Sequence, residues 1–370
     1  MRIVSVVGTR PQFIKAAVLQ PVLRARHDEV FVDTGQHYDG AMAGDFVSEL
    51  GLVPPDRSLG IGGGSQGEQT GRMLPAIESL LLAENPDVVI VYGDTNSTLA
   101  GTLAAAKLGI PVGHVEAGLR SFDRSMPEEI NRIVSDHLAR WLFAPTPTAV
   151  ANLAAEGIRE GVVLVGDVMR DLAARMAGEV RDPAVLRSIG ERLGLALEPG
   201  CYLLATIHRA DNRSPAAIAA WTALLTRAST PERPVLLALH PGTRVALEAS
   251  GHRLPDDVRV VDPQGYRTTL ALQLHAAAVL TDSGGVQREA AWLGVPCLIL
   301  RDRTEWVEAV ESSGGRMVVV GLDADRASAE LARLAPASSA GSDAVTRAAT
   351  LDLAPAGVAE AILGALEEAR

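Results

Sequence analysis

The sequence predicts an α/β protein built from two doubly wound, Rossmann-like domains, and three observations carry that expectation. Short apolar, β-branched runs alternate with stretches of helical composition, the pattern of βαβ units and of a parallel sheet covered on both faces. The alternation restarts after about residue 168. The chain has 370 residues, more than a single hydrophobic core ordinarily organises. The first series of strand-like runs is RIVSVV at 2–7, EVFVD at 29–33, DVVIVY at 87–92 and VVLVG at 162–166, with TLAGTLAAAKLG at 98–109 as an intervening helix. The second is CYLLATI at 201–207, VLLAL at 235–239, VRVVD at 258–262, AVLTD at 278–282 and CLILR at 297–301. The closing segment APAGVAEAILGALEEAR is an amphipathic helix expected to cross back onto the first domain. The division therefore reads 1–168 plus 355–370 against 169–354. The Ala/Ser-rich stretch from Pro336 to Asp343 reads as loop. Ligands of doubly wound sheets lie beyond the carboxyl ends of the strands, so a cleft between the two sheets is the expected site.

Composition narrows the function. Hydrophobic residues make up 47% and charged residues 21%, which is ordinary for a folded protein. A net charge of −11 argues against a nucleic-acid partner, although it leaves room for a local basic pocket facing a small anion. No apolar stretch approaches the ~20 residues of a membrane helix, so no membrane partner is expected. The opening MRIVSVVG enters a strand-like run too short for the apolar region of a signal peptide, which points to the cytoplasm. Cys201 and Cys297 sit in apolar strand-like runs and read as buried free thiols. The eight histidines include no close pair at ligand spacing, so no metal is expected.

Polar chemistry gathers where strands end. GTRPQFIK at 8–15 follows the first strand, with Pro11 at a helix start and Arg10 and Lys15 supplying positive charge that can hold a phosphate. In GDTNSTLAG at 93–101, Asp94 sits between strand and helix, where by itself an N-cap is the commoner reading and a catalyst the other. VGHVEAGLRSFDRSMPEEINRIVSDH, the 26 residues from Val112 to His137, joins an apolar strand to an acid-rich helix start through Arg120, Asp123 and Arg124. It offers Glu116 and the pair Glu128–Glu129 as carboxylates, and an acidic helix N-terminus alone would explain the pair. ATIHRADN at 205–212 ends a strand in His208, placed to meet an anion or to transfer a proton. TDSGGVQREAAWLG at 281–294 opens a helix with Ser283, Gly284 and Gly285, whose backbone can approach a diphosphate, while Glu289 can accept from ribose hydroxyls. Gly62, Gly64 and Gly67 fit G-x-G-x-x-G but do not follow the first strand, so a nicotinamide fingerprint is not expected.

Taken together, GTRPQFIK, TGQHYD, GDTNSTLAG, HVEAGLRSFDRSMPEEINR, TIHRADN, TDSGGVQ and TEWVEAV resemble the UDP-N-acetylglucosamine 2-epimerase family of the non-hydrolysing, GT-B-fold type. The resemblance implies inversion at C2 of a UDP-N-acetyl amino sugar, UDP-GlcNAc to UDP-ManNAc, by a homodimer without an added cofactor. It implies acid/base roles for Asp94, Glu116 and Glu128 and a place for His208 near the diphosphate. It also implies UDP contacts for Arg10, Lys15, Ser283, Gly284, Gly285 and Glu289, and an arginine lining the site at Arg132. Of the pair, it favours Glu128 as the acid and leaves Glu129 as support. The chain departs from the common pattern at Gln12, Asp211, Arg288 and Trp306, and its RSFDRSMPEE loop is two residues short. These departures resemble the branch acting on UDP-2,3-diacetamido-2,3-dideoxyglucuronate, the alternative substrate. The allosteric motif of bacterial members is altered over residues 36–42. A hydrolysing epimerase releasing UDP and ManNAc and a GT-B glycosyltransferase are the rival activities.

Overall fold

A computed structural model describes residues 1–36, 47–304, 306–336, 339–351 and 356–368. The chain divides into two compact units, Met1–Leu172 with Ala354–Arg370, and Ala173–Leu353. Each is built on one parallel sheet.

In the first unit the strands are β1 (Arg2–Val7), β2 (Asp28–Asp33), β3 (Arg57–Ser58), β4 (Val88–Tyr92), β5 (Val112–Val115), β6 (Trp141–Ala144) and β7 (Val162–Leu164). Their order is β3-β2-β1-β4-β5-β6-β7, every pairing parallel. The central strands β1 and β4 are near-continuous Val and Ile because helices cover both faces. One face packs Val4, Val6, Val89 and Val91 against Met73, Ile77 and Leu81 of the helix Gln66–Glu84 and Ala100, Ala104 and Ala105 of the helix Asn96–Lys107. Gly101 sets the approach of the second helix, since a Cβ there would lie 3.1 Å from Val91 Cγ1. The last helix, Val358–Glu368, belongs to this unit. Asp171 Oδ2 accepts from the Val358 backbone N–H at 2.8 Å, and Arg26 at the end of the helix Arg10–Arg26 pairs with Glu367 at 2.6 Å.

The second unit carries β8 (Leu203–Ile207), β9 (Val235–Leu239), β10 (Val258–Val261), β11 (Ala278–Thr281), β12 (Cys297–Ile299) and β13 (Met317–Val319) in the order β10-β9-β8-β11-β12-β13, again all parallel. Leu203, Ala205, Leu237 and Leu280 pack against the fully buried Trp221, Leu224 and Leu225 of the helix Pro215–Ala228. The strand order reverses between β1 and β4 in one unit and between β8 and β11 in the other, the switch points at which such sheets present ligands.

Two local expectations are corrected. Residues 340–343 are helical: Ala340–Thr350 is a helix whose Ala344 and Ala348 are buried, because Ala favours helix once its small side chain meets an apolar surface. Cys201 is exposed. The strand begins only at Leu203, and the turn at Gly200 (φ 73°) leaves the Cys201 thiol facing the Pro199 carbonyl. Cys297 is buried, and burial pushes its thiol pKa up to about 12.

Candidate active site

In the first unit the β1 turn is built around Gly8, where a Cβ would lie 2.0 Å from Thr34 Oγ1 and 2.2 Å from Ser97 Oγ. The backbone N–H groups of Gly8 and Thr9 donate to Gln12 Oε1 at 2.8 and 3.1 Å, and Gln12 Nε2 donates to the Tyr92 carbonyl at 2.7 Å. Gln12 thus ties the end of β1 to the end of β4 through one group that both accepts and donates. That dual role gives a reason for an amide at this position.

From this turn Arg10 stands half-buried at the first helical position, and Lys15, one turn on, is buried. The Lys15 ammonium is in direct ion contact with Glu116 Oε2, and both side chains are more than nine-tenths buried. Glu116 leaves the end of β5 with φ 73°, in the left-handed region that costs a side chain with a Cβ about 1–3 kcal/mol. Gly93 lies against the pair, since a Cβ on it would sit 2.8 Å from Lys15 Nζ. Asp94 follows Gly93. It is not the helix cap, a place taken by Thr95. Its carboxylate receives Arg132 Nη2 at 2.5 Å.

The adjacent glutamates have different surroundings. Glu129 is buried and accepts from the Ser121 and Phe122 backbone N–H groups, both at 2.9 Å, and from Arg132 Nη1 at 2.8 Å. Burial alone would raise the Glu129 carboxyl pKa, but these donors hold it below the ordinary range. Arg132, largely buried, is held above its ordinary value by Asp94 and Glu129 against the cost of burial. Glu128 is half-buried at the start of the helix Pro127–Leu138, with no hydrogen bond or ion pair to any described residue.

A buried network supports the region. His114 in β5 points Nδ1 at Asp136 Oδ1 and Nε2 at the Gly93 carbonyl, each at 2.7 Å, and Asp136 Oδ2 receives Arg120 Nη1 at 2.7 Å and the Gly118 N–H at 3.0 Å. Burial would raise Asp136, but His114 and Arg120 hold its carboxyl below the usual range. The structure therefore gathers Lys15 with Glu116, and Asp94 with Arg132, on adjoining strand ends, while Glu128 stands apart from both contacts.

In the second unit His208 directly follows β8 and Ser283 caps the helix Gly284–Trp292 that follows β11, its hydroxyl facing the Val286 N–H. Gly284 leaves space for Trp306, whose Nε1 would be 3.0 Å from an added Cβ, and the Arg288 guanidinium stacks over that indole at 3.9 Å. The two departures at 288 and 306 thus pack on each other. Gly285 is the next residue of the helix, and the buried Glu289 accepts from Gln273 Nε2 at 2.5 Å. Sequence reasoning overlooked Asp282, which is fully buried between β11 and Ser283 and holds the imidazole of His208. An aspartate directly after a strand and directly before a capping serine was the available signal. Residues 37–42, which carry most of the altered allosteric motif, lie outside the described residues, as does Glu305 of TEWVEAV.

The comparisons decide the family. The model for UDP-N-acetylglucosamine 2-epimerase matches residues 22–351. The chain belongs to that family. It is 46% identical over 331 residues to the UDP-2,3-diacetamido-2,3-dideoxy-D-glucuronate 2-epimerase of Pseudomonas aeruginosa, covering 88% of this chain and 90% of the relative. To a UDP-N-acetylglucosamine 2-epimerase of Methanocaldococcus jannaschii it is 41% identical over 329 residues, 86% of this chain and 88% of the other. The crystal structure of the M. jannaschii enzyme in complex with UDP-GlcNAc and UDP is similar with a TM-score of 0.82 at 36% identity, covering 100% and 99% of the two chains. That of the Neisseria meningitidis enzyme bound to UDP-GlcNAc gives 0.85 at 28% identity, with the same coverage. Membership and the pair of Rossmann-like sheets agree with the reading of the sequence. Among the described residues no helix is long and apolar enough to cross a membrane.

Proposed function

We propose that this epimerase-family chain inverts C2 of a UDP-linked N-acetyl amino sugar, interconverting UDP-GlcNAc and UDP-ManNAc. The observation that carries the reading is the family match across residues 22–351, joined to carboxylates and cations at the strand ends of both sheets. A base removes the C2 proton, the electron pair forms C1=C2, and the bond from C1 to the diphosphate oxygen breaks. This anti elimination gives 2-acetamidoglucal and UDP. A proton delivered to the opposite face of C2 and return of the UDP oxygen to C1 complete the inversion with no net redox change.

Within this proposal Asp94, Glu116 and Glu128 divide the acid/base work, and Arg132 orients Asp94. Arg10, Lys15, His208 and the N–H groups following Ser283 at Gly284 and Gly285 stabilise the departing diphosphate, where positive charge is needed most. Glu289 takes the ribose. The first unit is then the sugar side and the second the UDP side, and a homodimer is part of the same proposal. Glu128, whose carboxylate no described residue engages, has its proton-transfer capacity uncommitted, whereas Glu129 is occupied on four sides.

A second reading takes the sugar as the 2,3-diacetamido-2,3-dideoxyglucuronate. The 46% identity to the P. aeruginosa enzyme of that name favours it. One experiment tests both: purified protein in deuterium oxide, each UDP sugar in parallel, followed by NMR. The expected result is solvent deuterium at C2 and appearance of the 2-epimer. Absence of C2 exchange with either sugar would sink the epimerase reading, and free ManNAc would establish the hydrolysing alternative. Light scattering at working concentration checks the dimer.

A further inference from the structure

Asp282 has no exposed surface and gathers donors from one short segment. Its Oδ2 accepts from the backbone N–H of His208 at 3.1 Å, from that of Arg209 at 3.0 Å and from Asn212 Nδ2 at 2.7 Å. Its Oδ1 faces the His208 ring Nδ1 at 2.7 Å and lies 3.2 Å from the His208 backbone nitrogen. Burial would raise this carboxyl, but the His208 contact and the N–H donors hold it below the ordinary carboxylate range. An ionised carboxylate only accepts, so the Nδ1 that faces it carries the proton. The ring is 45% exposed, and Nε2 has no partner among the described residues. The β8–β11 pairing places the two residues together, since Thr206 and Thr281 are in register.

We propose that Asp282 is a positioning residue that fixes His208 with Nδ1 protonated and Nε2 turned outward to the ligand. This rests on the assignment of His208 to the diphosphate. With Nδ1–H committed to Asp282, Nε2 accepts a proton or, once protonated, donates to a phosphate oxygen, and the ring cannot turn to offer the wrong nitrogen. The logic is that of a base oriented by a third group.

Asp282→Asn separates this role from a merely structural one. Three N–H donors converge on Oδ2, so the amide oxygen of the variant must stay there. The amide NH₂ then falls opposite Nδ1, where it can only donate. His208 must answer by giving up its Nδ1 proton, and the neutral ring becomes the Nε2–H tautomer. NMR of ring-¹⁵N histidine, assigned with His208→Gln, should show the Nδ1–H tautomer in the native protein and the Nε2–H tautomer in Asp282→Asn. The kcat for C2 exchange should fall by at least about tenfold, and by less than the ~10⁴ of a triad base in the wrong tautomer, because His208 is one of several groups at the diphosphate. Asn212→Ala, which removes a different donor from the same oxygen, should leave tautomer and kcat within about twofold of native. The proposal is overturned if the native ring is the Nε2–H tautomer, a measurement that needs no variant to fold. It also fails if Asp282→Asn leaves the tautomer unchanged, or if Asn212→Ala costs as much as Asp282→Asn. Full activity in His208→Gln with the predicted tautomers would instead remove His208 from the site and leave the Asp282 pairing standing.

Discussion

Replacing Lys15 with Met tests whether the first unit depends on the buried charge pair at its strand ends. Met keeps most of the apolar stem of Lys15 and removes the ammonium, so Glu116 loses its ion partner with little change of volume. Side-chain exposures are 7% for Lys15 and 8% for Glu116, so neither charge is repaid by water when the other is removed. Breaking a buried pair from one side costs about 3–5 kcal/mol. Glu116 keeps a further polar interaction, which places the expected loss near the lower figure. Lys15→Met with Glu116→Gln should recover part of that loss, because no uncompensated charge remains, giving a coupling of about 1–3 kcal/mol in a double-mutant cycle. Urea denaturation followed by far-UV circular dichroism and by hydrogen exchange on β4 and β5 measures the cycle. A Lys15→Met protein within about 0.5 kcal/mol of native, or a cycle with no coupling, would refute the argument that the pair is buried and mutually dependent.

Three further outcomes follow from single contacts. Gly8→Ala places a methyl about 2 Å from two hydroxyl oxygens, so that turn must open, and thermal unfolding should move down by the several degrees that correspond to about 2–3 kcal/mol. Gln12→Glu removes the donor to the Tyr92 carbonyl unless the new carboxyl is protonated, which raises its folded pKa; the variant should be less stable than native by about 1–3 kcal/mol at neutral pH and recover toward acid pH. Asp136 and Asp282 both titrate below the ordinary range when folded, so the stability they supply is present above the unfolded value of about 4 and is lost as pH falls through the folded value. Urea midpoints should therefore drop steeply below about pH 4, and Asp136→Asn should lower stability at neutral pH while flattening that drop. An unchanged acid slope in the variant would show that Asp136 does not carry the linkage.

The strands and their ends were legible because their signals are local. A β-branched run, a glycine or proline directly after it and a polar residue at the junction are read within ten residues, and the reversal of strand order then sets GTRPQFIK beside GDTNSTLAG and TIHRADN beside TDSGG. Partnership was not legible, because it is decided across the fold. Lys15 and Glu116 are 101 residues apart, and His208 and Asp282 are 74 apart. The place of Lys15 in the first turn suggests a phosphate ligand, and nothing near it in the sequence announces its ion contact with Glu116. Composition misled at 340–343 for a related reason. Gly341 and Ser342 weaken the helical preference of the neighbouring Ala, and burial of Ala344 and Ala348 selects the helix.

The Glu128–Glu129 pair shows how a fold breaks a symmetry that sequence leaves intact. Two identical side chains at consecutive helix positions point about 100° apart. In this helix that rotation turns Glu129 inward to the 121–122 backbone and Arg132, and leaves Glu128 outward and half-buried. The buried one is well supplied with donors and poorly suited to exchange a proton, since its carboxylate is held ionised. What it does instead is fix Arg132, whose other nitrogen reaches Asp94. A buried acid can therefore set the geometry of a proposed catalytic group, Glu129 acting on Asp94 through Arg132 and Asp282 acting on His208 directly. In both units the candidate reactive group sits at a strand end, and the carboxylate that orients its surroundings lies one element away, buried and saturated with N–H donors.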